Sequence, residues 1–128
     1  MLELEVINNS DCSLPIERRS FVREIFMHKN RLCMVMEMRW ESISIGTYCN
    51  GYVQMLPSSK DLLYGKLTDR IKSGEITFGG TFPWLPNIKF LGFDTAHIWN
   101  DEHPETKTFE NVKERTILLC GEMVRKRI

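Results

Sequence analysis

Between Leu32 and Trp40 every second residue is apolar (Leu32, Met34, Met36, Met38, Trp40), with Glu37, Arg39 and Glu41 interleaved on the other side. A period of two predicts a strand with one face in the core, and this is the cleanest strand in the sequence. The Met stripe reads as core, although thioethers repack easily and an adaptable groove is the alternative. Leu2, Leu4 and Val6 alternate with Glu3, Glu5 and Ile7 in the same way until Asn8, Asn9 and Ser10 stop the run. From Ser13, Pro15 and Ile16 through Val22, Ile25 and Phe26 the spacing turns helical, with Pro15 in the first turn and Asn30 closing the helix. Arg18, Arg19 and Arg23 then fall on its exposed side, as a solvated surface beside Glu17 and Glu24 or as an anion site.

Ile43 to Leu56 again has strand character, and Asn50-Gly51 inside it reads as a bulge within one long strand rather than a hairpin turn. A short helix is predicted from about Ser59 to Ile71 on Leu62, Leu63, Leu67 and Ile71, weakened by about 1 kcal/mol at Gly65 relative to Ala. Glu75 to Phe82 and Ile88 to Phe93 are two further strands, joined by a connection stiffened by Pro83 and Pro86. Thr95 to Glu105 reads as a loop. A last helix, from Thr106 or Thr108 to Arg125, carries Phe109, Val112, Thr116, Leu119 and Met123 at helical spacing. Strands and helices in this order predict an α+β fold: a mainly antiparallel sheet with two or three helices packed on it, in a single domain spanning 1–128.

The length of 128 residues and 42% hydrophobic content suit one core without staples. Seventeen basic and seventeen acidic residues cancel, so no global field recruits nucleic acid or a membrane surface. The four cysteines, Cys12, Cys33, Cys49 and Cys120, have no metal-ligand spacing and read as free thiols. No apolar run approaches the roughly 18 residues of a membrane span, and no export signal opens the chain, so a cytoplasmic location is expected. The last segment has a basic surplus, with Arg125, Lys126 and Arg127 suited to the negative end of a helix dipole or, alternatively, to nucleic acid.

Candidate chemistry concentrates between Glu75 and Asp101. Gly79 and Gly80 weaken a strand and mark a bulge or a close approach of backbone or ligand. Asp94 stands at a strand end, and Asp94 with His97 suits either a hydrogen-bonded turn or an acid–base pair. Asp101 and His103 lie near enough in sequence to join them as metal ligands, but the spacing is loose and no metal or cofactor is expected. Aromatic Tyr52, Tyr64, Trp84 and Trp99, with polar Thr77, Thr81, Asp94 and His97, suit a binding surface. The aromatics could stack on bases while backbone N–H groups at Gly79 and Gly80 meet a phosphate, or they could anchor a protein interface.

Four short motifs occur in order: Gly51-Tyr52-Val53, Leu63-Tyr64-Gly65-Lys66, Ile76-Thr77-Phe78-Gly79-Gly80-Thr81-Phe82 and Leu91-Gly92-Phe93-Asp94-Thr95-Ala96-His97. From about Arg31 onward the chain thereby resembles a family of small, largely uncharacterised phage and prophage proteins. Their His before the paired glycines is Phe78 here, their Cys before Gly-Tyr-Val is Asn50, and their Trp-Trp is Lys89-Phe90. The resemblance implies a phage-type cytoplasmic protein and brings no agreed catalytic residues. The function expected from it is inhibition of a bacterial host defence system, by binding a defence protein or sequestering a nucleotide signal. The alternatives are a small hydrolase using Asp94 and His97, and a virion-associated structural module. Nucleic acid and membranes are not expected partners, whereas a second copy of the chain is an admissible one.

Overall fold

The computed structural model describes residues 4–6, 18–40, 46–59 and 69–128. Six strands make one sheet: β1 (Leu4–Val6), β2 (Arg18–His28), β3 (Arg31–Trp40), β4 (Thr47–Gln54), β5 (Phe78–Phe82) and β6 (Leu85–Phe93). The spatial order is β1-β2-β3-β4-β6-β5, and every pairing is antiparallel. Helix α1 (Ile98–Glu102), a 3-10 turn (Pro104–Lys107) and helix α2 (Phe109–Lys126) follow the last strand. The fold class is the α+β arrangement that the sequence predicts.

The segment predicted as the first helix is instead β2 in its described part. The register between β2 and β3 shifts between Val22 and Glu24, a bulge that places one extra residue on β2. Phe21 and Phe26 thus share one face and Val22 and Ile25 the other, so a bulged strand shows apolar residues at the i, i+1, i+4, i+5 spacing of a helix. Asn30 ends no helix. With Lys29 it forms a two-residue hairpin turn, both in left-handed conformation (φ 49° and 61°), and His28 pairs with Arg31 across it. Arg23 does not lie on a solvated face but 3.1 Å from Glu37, which also sits 2.7 Å from Arg39.

Asn50-Gly51 is neither turn nor bulge. The β3–β4 register runs unbroken from Cys33↔Val53 to Arg39↔Thr47. Gly51 is needed because the helix approaches: a Cβ there would stand 2.6 Å from the Phe93 ring and closer still to the Thr116 hydroxyl. The predicted bulge lies instead beside the glycine pair, where the β5–β6 register shifts between Gly80 and Phe82. Pro83-Trp84 is then a tight hairpin, and β6 starts at Leu85, earlier than the two prolines suggest.

Strand β3 is covered on both faces. Cys33 and Val35 join Val53, Leu91 and Phe93 against Val112, Leu119 and Met123 of α2. Met34 and Met36 point the other way, into a cluster with Val22, Tyr52, Phe82 and Phe90, so the Met stripe is core. Helix α2 starts on Thr108, whose hydroxyl accepts from Asn111 N. It ends at Arg127 in left-handed conformation, with Ile128 N donating to Met123 O at 3.0 Å. Arg31 Nη1 closes that end by donating to the buried Ile128 carbonyl at 2.6 Å. Arg125 and Lys126 occupy the last turn, where the dipole favours them. The predicted helix from Ser59 to Ile71 lies largely outside the described residues, as does Cys12. Cys33, Cys49 and Cys120 are free and buried, and burial pushes the Cys49 thiol up to about 12.

Candidate functional site

Phe93, the last residue of β6, is buried between sheet and helix, and the chain must turn sharply to leave it. Two threonines fix that turn. Thr77 Oγ1 accepts from Asp94 N at 3.1 Å, and buried Thr95 donates through Oγ1 to Cys49 O at 2.7 Å. The chain therefore enters α1 with His97 at its N-cap, and His97 Nε2 comes 2.6 Å from Asp94 Oδ1. That contact is one of proximity rather than a directed hydrogen bond, since no donor is aimed at Asp94 Oδ1, which is itself buried.

Helix α1 and the 3-10 turn form a self-bonded cap. Asn100, buried, donates to Thr106 Oγ1 at 2.8 Å, and Thr106 Oγ1 donates to His103 O. His103 stacks on Trp99 with ring centroids 4.3 Å apart, and Lys107 pairs with Asp101. This bracing turns two apolar side chains outward: Ile98 is 78% and Trp99 57% exposed. The predicted loop is thus a short ordered helix that presents hydrophobic residues to solvent.

Between this cap and α2 lies a cavity of about 690 Å³. Asp94, His97 and Trp99 line one side, and Asn111, Arg115 and Leu118 of α2 line the other. Four acidic residues, Glu75, Asp94, Glu105 and Glu114, are among its lining residues, against one arginine. Arg115 is half-buried, its guanidinium 3.8 Å over the Phe93 ring and donating to Glu75 O at 3.1 Å. Gly74 permits that position, because a Cβ there would stand 2.6 Å from Arg115 Nη2. Desolvation lowers the Arg115 pKa, opposed by the charges of Asp94 and Glu75. Leu118, 61% exposed, joins Trp99 as a second exposed apolar residue of the lining, with Glu75, Glu105 and Glu114 exposed beside them.

The structure divides the predicted site residues into two groups. Asp94, His97 and Trp99 meet at the cavity, with Thr77 supporting Asp94 from behind. Gly79, Gly80 and Thr81 lie on strand β5 instead, with Gly79 and Thr81 exposed. Tyr52 and Trp84 belong to the sheet face opposite α2: Tyr52 packs edge-on to Phe78 and Phe82, and Trp84 stacks on Phe82 at 4.8 Å. Tyr64 lies outside the described residues. Sequence reading missed Glu75, Glu105, Asn111, Glu114, Arg115 and Leu118. Only Leu118 carried a signal, as an apolar residue off the buried stripe of the last helix; the others read as ordinary solvent-facing polar residues of a helix or turn.

The Thr106 hydroxyl donates to a backbone carbonyl, and the three described cysteines lie in the core with raised pKa values, Cys33 and Cys120 by burial as well as Cys49. Among the described residues no three His, Cys, Asp or Glu side chains converge as metal ligands, and no helix is long and apolar enough to cross a membrane. No family model, curated protein or solved structure matches this chain.

Proposed function

We propose that this protein is a small binding inhibitor of phage type that acts by gripping a host defence protein at the cavity between α1 and α2. One observation carries the reading: Trp99 and Leu118, 57% and 61% exposed, line a cavity of about 690 Å³ together with four acidic residues and one arginine. A large exposed aromatic braced in one orientation is the usual form of an interface anchor. The acidic surplus among the lining residues favours a basic side chain of the partner and opposes the phosphates of a nucleotide signal, so the protein target ranks ahead of the nucleotide. The counter-defence role itself rests on the resemblance to phage and prophage proteins.

The test is protection of an infecting phage in cells that carry individual defence systems, with the wild-type chain and with Trp99→Ala and Leu118→Ala. Both variants are expected to keep the wild-type circular dichroism spectrum. Truncating a central aromatic anchor costs about 2 kcal/mol or more, roughly thirtyfold in affinity, so protection is lost in Trp99→Ala. Full protection by both folded variants places the partner elsewhere.

The 2.6 Å approach of His97 to Asp94 favours a second reading, a hydrolase in which the contact tightens to a hydrogen bond on substrate binding and Asp94 then orients His97 as general base. Screening phosphoester, peptide, glycoside and cyclic-dinucleotide substrates separates the two. Turnover that disappears in folded His97→Ala would replace binding by catalysis.

A further inference from the structure

Strand β5 is the outermost strand beyond β6, and its ladder with β6 is its sole strand pairing among the described residues. An edge strand carries a row of outward N–H and C=O groups, and proteins ordinarily guard such a row with charged side chains. Strand β5 has no charged side chain of its own to do so. From Ile76 to Ile88, the whole β5–β6 hairpin before Lys89, there is not one charged residue in a chain that is 27% charged. Its centre, Gly79-Gly80, has no side chain to hold another backbone away, and Thr81 beside it is exposed.

We infer that β5 is a dimerisation edge, on which a second copy of this chain adds its own β5 in antiparallel orientation. Several features select a second copy over another partner. The edge is self-complementary: a two-fold axis near Gly80 sets Phe78 of one copy opposite Phe82 of the other. Phe78 and Phe82 already share a face, stacked 5.1 Å apart at 13°, and Phe82 continues the stack to Trp84 at 4.8 Å. Pairing two copies therefore extends one aromatic ladder across the axis, an arrangement that favours cross-strand association. Zero formal net charge leaves no overall repulsion between copies. A two-fold joint at the outer strand continues the sheet from one copy into the other and leaves the α1–α2 cavity of each copy outside the joint, so it stands independently of the proposed function.

The experiment is the oligomeric state of the full chain by analytical ultracentrifugation between roughly 1 µM and 1 mM, a span covering weak to moderate association. Hydrogen–deuterium exchange of residues 78–82 is followed over the same range. A dimer is expected, with the amides of 78–82 exchanging more slowly as concentration rises. Thr81→Lys places like charges across the axis on an exposed position and is expected to give a monomer with wild-type circular dichroism. A chain that stays monomeric to 1 mM, with exchange at 78–82 independent of concentration, overturns the inference. So does a dimer that Thr81→Lys leaves intact, or protection of 78–82 that appears only on mixing with a different protein.

Discussion

Glu122 is a carboxylate that the fold buries, to 4% exposure, and then satisfies in full. It accepts from Lys72 N at 2.7 Å, from Ser73 N at 2.9 Å and from Lys126 Nζ at 2.7 Å. Burial alone would raise its pKa, but these donors outweigh it and bring the carboxyl from an ordinary 4.5 to about 2. A depressed folded-state pKa means that the native state binds the proton less readily than the unfolded chain. The stabilisation is therefore fully present above about pH 4.5 and is lost as pH falls toward 2. Glu122→Gln is expected to melt at lower temperature at pH 7 and to show a smaller loss of stability between pH 5 and 2 than the wild type, measured by thermal melts across that range. Equal acid sensitivity in the two proteins would assign the acid transition to other carboxylates.

At the scale of elements, the packing of α2 on the sheet depends on what is missing from the strands beneath it. Gly51 leaves room for Thr116 and Phe93 beneath the helix, whereas on the opposite face Gly92 leaves room for the Tyr52 ring. Gly51→Ala forces the helix away from β4 and is expected to destabilise by about 3 kcal/mol in a denaturant titration, at the upper end of the cost of overpacking. A change below about 1 kcal/mol would mean that α2 shifts freely on the sheet. Strand β3 is sensitive on its other face: Met36→Asp buries an unpaired charge among Val22, Tyr52 and Phe90 and is expected to abolish the folded state. A cooperative melt close to that of the wild type would show the Met face to be open. The strand pattern of Leu32 to Trp40 was legible because its alternation is unbroken. β2 was not, because its bulge gives a strand the spacing of a helix.

At the scale of the whole molecule, a neutral chain gathers four acidic residues against one arginine around one cavity, and the balance of 17 against 17 conceals it. Capture of a basic partner at that cavity is expected to slow as ionic strength rises, because steering by partly exposed carboxylates is screened within about 8 Å at physiological salt. Stopped-flow or surface-plasmon association rates in low and high salt measure this directly. Glu114→Gln and Glu105→Gln are expected to lower the association rate by a few-fold each with little effect on melting, and a salt-independent rate would transfer the recognition to Trp99 and Leu118 alone.

The order and type of most elements follow from sequence, since alternation in β3 and helical spacing in α2 are local properties of neighbouring residues. Asp94 and His97 were legible as a pair for the same reason, three residues apart on one turn. Tertiary structure decided what sequence separation hides. Glu75 and Arg115 are forty residues apart and meet only because α2 crosses the sheet beside the end of β6. Trp84 and Trp99 are fifteen apart in sequence and lie on opposite sides of the sheet: Trp84, in the hairpin before β6, packs on the face away from α2, and the turn at Thr95 carries the chain to the side of α2 before Trp99. Side-chain burial and electrostatic neighbourhood depend on such long-range placement, and no local pattern of hydrophobic and polar residues encodes it.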